Sequence, residues 1–131
     1  MTYIGASEGG AYALINGNRA EVRSSRDDVF AFMRQFNGEN ARCVIESSNP
    51  GHETASLNKS VAEQMFVSCR MRKIPYMFVK PGSWRRDMNI DKNAVEVCKK
   101  LYPFTNVETR ADGTCPEADA LLLAVYAKRS L

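Results

Sequence analysis

Apolar and polar residues alternate at the start of the chain and then give way to helical spacing. "YIGASEGGAYALI" (residues 3 to 15) lies within two predicted strands, 2–7 and 11–16, joined by a turn at Gly9 and Gly10. Asn16-Gly17 in "INGNRAEV" is a strong hairpin signal, so a third short strand is expected near 19–23. Ser25 precedes Asp27 and Asp28, which suits a helix start with acids in its first turn. Val29, Phe30, Met33 and Phe36 recur at helical spacing and predict a helix over 26–36. "ARCVIE" (41–46) is a short, mostly apolar run without clean alternation, as a central strand covered on both faces should be.

The longest predicted helix covers 55–73, with Val61, Met65, Phe66, Cys69 and Met71 at apolar positions and Pro75 as its stop. "YMFVK" (76–80) is the next strand, followed by a helix near 91–101 and a polar loop. The last helix begins near Cys115 and runs almost to the end. "TCPE" reads there as a capping box, with Thr114 as cap, Glu117 reaching back and Pro116 in the first turn. The order β-β-β-α-β-α-β-α-α predicts an α/β fold: three meander strands, then alternating units, in a mixed five-stranded sheet with helices on both faces.

Composition narrows the class. The chain has 131 residues and is 44% hydrophobic, enough for one domain over 1–131 with a core of its own. It holds no apolar run of membrane-spanning length, and "MTYIGASEGG" lacks the pattern of a signal peptide. No membrane partner and a cytoplasmic location are the expectation. Cys43, Cys69, Cys98 and Cys115 are widely spaced without a CxxC pair, so reduced core thiols are expected rather than a zinc site. His52 is the single histidine, which argues against histidine-based triads or metal centres.

The net charge is +3, and its distribution says more than its size. "CRMRK" with Arg70 and Lys73, "KPGSWRR" with Lys80, Arg85 and Arg86, "CKK" and "AKRSL" hold much of the positive charge. Clustered Lys and Arg are the footprint of phosphate binding; solvated helix faces are the plainer alternative. Trp84 amid one cluster suits either base stacking or a packing anchor after a strand.

Chemistry is sought among acids at the ends of core elements. Glu46 ends the apolar run "CVI", at the carboxyl end of a central strand, where open α/β sheets place ligands. A solvated strand end is the alternative. Asp119 shares one helical stripe with Leu122, Leu123 and Tyr126, so it should be buried. A buried carboxylate needs a cation or strong donors: a divalent ion or a neighbouring Arg. Glu117 is a weaker ligand candidate because the capping box explains it, and Asp112 in "RADGT" is most simply a turn residue.

Together, "YIGASEGGAYALI", "CVIES", "IPYMFVKPGSWRRDM" and "EADALLLAVYAKR" resemble, in order, the RuvC-type Holliday-junction resolvases, especially the compact phage-encoded kind, on a ribonuclease H-like fold. The likeness runs from residue 3 to residue 129. It implies that Glu46 and Asp119 are catalytic metal ligands for Mg²⁺. Glu117 or Asp112 would have to supply a further acid, because Thr114 and Pro116 stand at the family's usual offsets. The family's first-strand aspartate falls on Ser7, and Glu8 lies on the opposite strand face unless the turn bends it round.

A neutral hydroxyl is a poor Mg²⁺ ligand, and two-metal hydrolysis needs carboxylates shared between its ions. Three accounts stay open: a site engineered to be inactive, a natural degenerate member, or a site rebuilt around Glu8. The resemblance therefore implies two functions. One is a Mg²⁺-dependent, structure-selective endonuclease on branched DNA, dimeric through the helix near 55–73, with Lys80, Arg85 and Arg86 on phosphates. The other is a nuclease-dead protein keeping the fold as a nucleic-acid-binding or scaffold subunit.

Overall fold

The structure, a computed structural model, describes residues 1–24, 28–48, 60–90, 94–105, 107, 109 and 112–131. Strands β1 (Thr2–Ala6), β2 (Tyr12–Asn16) and β3 (Arg19–Arg23) form the antiparallel meander. Helix α1 (Val29–Met33), β4 (Ala41–Glu46), α2 (Val61–Met71), β5 (Tyr76–Val79), α3 (Pro81–Asp87), α4 (Ala94–Leu101) and α5 (Pro116–Ser130) follow. The five-stranded sheet has the order β3-β2-β1-β4-β5, with β4 parallel to both β1 and β5.

Each face of the sheet carries its own core, as the alternation requires. Ile4, Tyr12, Leu14, Cys43 and Ile45 point to the layer of α1 and α2. Ala13, Ile15 and Val44 point to the layer of α3, α4 and α5. The double-sided burial expected of "ARCVIE" is what β4 shows. Helix α5 lies directly on β1: a Cβ built on Gly5 would fall 2.3 Å from the Ala120 carbonyl oxygen and 2.4 Å from the Ala124 nitrogen. Only glycine lets helix and strand come this close.

Several expectations are corrected. The segment after β5 is not merely a basic stretch; it is a seven-residue helix, α3. Pro81 sits at its start, where a missing N–H costs nothing. Asn89 closes it in the left-handed region (φ 60°), with Ile90 N–H on the Arg85 carbonyl at 2.9 Å and Asn89 N–H on that of Arg86 at 3.1 Å. The capping box does not form: Thr114 Oγ1 donates instead to Asp112 Oδ1 at 2.6 Å, and Cys115 is the residue before the first turn of α5.

Helix α1 is shorter than predicted, and the start expected at Ser25 and Asp27 lies outside the described residues. The same holds for positions 55–59 of the long helix, 91–93 of the next helix, and His52. The four cysteines are buried and free, the core filler expected of them. Burial pushes the Cys98 thiol up to about 12 and raises that of Cys115 as well.

Candidate carboxylate site

The carboxyl end of β4 delivers Glu46 into a nearly closed setting, 5% exposed. Each of its oxygens has a neutral donor. Oε1 accepts the backbone N–H of Glu8 at 3.0 Å, and Oε2 accepts Trp84 Nε1–H at 2.7 Å. Trp84 is completely buried, so it packs and donates; base stacking is not open to it in this arrangement. The indole is the one large apolar side chain that α3 contributes to the core, and its polar edge finds the partner a buried Trp needs.

Asp119, in the first turn of α5, is half-buried rather than fully buried as the helical stripe predicts, and its partner is Arg85. The guanidinium of Arg85 also lies over the Trp84 ring, 5.0 Å from its centroid. Of the two ways to satisfy Asp119, the structure shows the neighbouring Arg. Burial pushes the Asp119 carboxyl up, Arg85 pulls it back, and the charges of Glu46 and Glu117 push it up again; the net direction is upward. Asp119 therefore lies within the field of both carboxylates. At the other end of the stripe, Tyr126 Oη donates to Asp87 at 3.2 Å, so α3 grips α5 at two points.

Ser7 is 1% exposed, and its hydroxyl is spent on the hairpin. It accepts from Ala11 N–H at 3.2 Å and donates to the Ala11 carbonyl at 3.3 Å. Glu8 does turn toward Glu46, but with its backbone. Its carboxylate instead accepts from Ser48, from the hydroxyl at 2.7 Å and from the backbone N–H. A site rebuilt around the Glu8 carboxylate is thus not the arrangement present. Glu117 accepts a long contact from Cys115 Sγ at 3.9 Å, and Asp112 is an exposed turn residue holding Thr114 N–H at 3.0 Å. A cavity of about 250 Å³ opens beside the Arg85–Asp119 pair, walled by Ala94, Val95, Thr114 and Cys115.

Among the described residues, no three His, Cys, Asp or Glu side chains converge as a metal cage would require. The donor set does not fit two divalent ions: each Glu46 oxygen already accepts an N–H, Asp119 Oδ1 is paired with a guanidinium, and the Ser7 hydroxyl is bonded to the main chain. Of the predicted basic positions, Lys80, Arg86, Arg70 and Lys73 are exposed, whereas Arg85 is half-buried and committed to Asp119. The link between Glu8 and Ser48 and the grip of Asp87 on Tyr126 carried no signal in the sequence.

No protein-family model matches the chain, and no curated protein matches it. Solved structures do resemble it. RuvC of Thermus thermophilus in complex with a Holliday junction substrate is 14% identical with a TM-score of 0.61, over 98% of this chain and 96% of that one. A second Thermus thermophilus RuvC structure is 12% identical with a TM-score of 0.60, over 98% and 96% respectively. The fold is therefore the RuvC and ribonuclease H-like α/β fold expected from the sequence. Among the described residues, no helix is long and apolar enough to cross a membrane.

Proposed function

We propose that this chain is a RuvC-type protein that binds branched DNA, four-way junctions above all. The observation that carries the reading is the end-to-end likeness to RuvC, whose solved complex holds a Holliday junction substrate. Exposed cations support it: Lys80 and Arg86 at the ends of α3, and Arg70 and Lys73 at the end of α2, stand ready for phosphates. Binding without hydrolysis is the activity that the carboxylate site favours, because Glu46 and Asp119 are held by internal donors.

A second reading, Mg²⁺-dependent cleavage by a resolvase, draws on the upward push of Glu46 and Glu117 on Asp119. A carboxylate whose pKa is raised by neighbouring negative charge sits in the kind of field that a cation site uses. A labelled four-way junction and a linear duplex, each titrated with protein, separate these outcomes. The expected result is junction binding at least ~10-fold tighter than duplex binding, weakening as salt rises, with no product in Mg²⁺ or Mn²⁺. Equal affinity for both DNAs overturns junction recognition, and metal-dependent product turns the choice to the second reading.

A homodimer through α2 belongs to the same proposal, since a two-fold protein suits a junction whose arms are related in pairs. The inner face of α2 is buried, while Met71 is 73% exposed and Phe66 is half-buried against Tyr76 and Phe78. Sedimentation should find a dimer that Met71→Glu weakens. A parent that stays monomeric at high concentration removes this part.

A further inference from the structure

Two carboxylates, Glu46 and Asp119, lie close enough for the charge of one to raise the other's pKa, and the resemblance to RuvC makes a divalent ion the expected offset. Here the offset is already part of the chain. Arg85 faces Asp119 on one side and stacks on Trp84 on the other, and Trp84 in turn holds Glu46. The result is one continuous chain of contacts: Glu8 N–H to Glu46, Glu46 to Trp84, Trp84 to Arg85, Arg85 to Asp119.

A guanidinium does not lose its proton in a protein, so this positive charge cannot be switched off by pH. Its planar donors are fixed by the ring beneath them, and little side-chain freedom remains to be lost when they bond to a carboxylate. The short helix α3 supplies both residues, and its left-handed cap at Asn89 and its Asp87–Tyr126 bond anchor that helix to α5. A metal ion would have to displace Arg85 from Asp119 and compete with the indole N–H at Glu46.

We infer that Arg85 is a built-in cation standing where Asp119 would otherwise hold a divalent ion, and that it keeps the site closed to Mg²⁺. The inference uses the assignment of Glu46 and Asp119 to the carboxylate positions of the RuvC fold, but its test contains no DNA, so failure of junction binding leaves it untouched.

Trp84, the only tryptophan in the chain, is a ready reporter. The whole protein is titrated with Mg²⁺, and separately with Tb³⁺, whose luminescence a nearby indole sensitises; thermal melts in Mg²⁺ run alongside. The parent should show no saturable response to millimolar Mg²⁺. Arg85→Gln, which keeps a neutral donor and part of the stem, should bind Tb³⁺ at least ~10-fold more tightly than the parent and should gain melting temperature with Mg²⁺.

Adding Asp119→Asn to that variant should erase the gain. Arg85→Ala, checked for folding by circular dichroism, should behave as Arg85→Gln does. Saturable Mg²⁺ binding by the parent overturns the inference without any variant. So does a folded Arg85→Gln protein as indifferent to both ions as the parent, or a gain that survives Asp119→Asn.

Discussion

Gly5→Ala tests the packing that places Asp119. The new methyl would lie 2.3 Å from the Ala120 oxygen, 2.4 Å from the Ala124 nitrogen and 2.7 Å from the Leu123 carbonyl carbon. Ordinary contact lies beyond about 3.4 Å, so α5 or β1 must yield by about 1 Å. None of these atoms is the end of a flexible side chain. Two of them are the carbonyl and amide that an α-helix pairs four residues apart, so the methyl pushes against a backbone hydrogen bond. Neither partner has room to move. Ala118, Ala120, Leu121, Leu122, Leu123 and Ala124 of α5 are completely buried, and β1 is paired on both sides.

Overpacking in such cores costs about 1–3 kcal/mol, and contact with main chain on an immobile helix puts this site near the upper end, about 3 kcal/mol. Restricting the unfolded chain returns less than about 1 kcal/mol of that. For a domain of this size the net loss should lower the melting temperature by roughly 10 °C. Thermal melts followed by Trp84 emission and by far-ultraviolet circular dichroism measure it. A Gly5→Ala protein melting within about 2 °C of the parent would refute the claim that glycine sets the distance between β1 and α5.

Three further changes probe the site and its supports. Trp84→Phe leaves Glu46 Oε2 without its 2.7 Å donor in a buried place, a loss of about 1–3 kcal/mol before the smaller ring is counted; an unchanged urea midpoint followed by circular dichroism would argue against the bond. Lys73 is left-handed (φ 56°) at the end of α2, so Lys73→Gly should stabilise the fold by about 0.5–1 kcal/mol in the same urea assay while weakening junction binding in a gel shift; lower stability would contradict the strain.

Asp119 gives the pH dependence. Its folded pKa lies above the ordinary 3.8, so between the two values the folded state binds more protons and stability falls as pH rises through that window. Melts across acidic to neutral pH should show the parent losing ground to Asp119→Asn as pH rises, despite Arg85. A parent that gains ground would mean that the ion pair outweighs burial.

The sheet was legible because its strands are short, alternate in polarity and are separated by glycine turns, and because β4 has the unbroken apolar character of a strand covered twice. The partial burial of Asp119 was legible for a similar reason: an acid on an apolar stripe turns toward the core. Its partner was not. Arg85 lies 34 residues away and reaches Asp119 through α3, a helix with no apolar period, since Trp84 is its only buried residue. The signals of α3 are at its ends, Pro81 and the left-handed Asn89, and such end signals do not make a helix visible without a face between them.

Thr114 misled in the same local way, because Asp112 captured the hydroxyl that the capping box needed. Strand and helix patterns thus placed the acids, while a seven-residue helix decided which donors hold them. A carboxylate pair held by solvent can accept a metal, whereas one held by a stacked guanidinium and an indole N–H must first give both up.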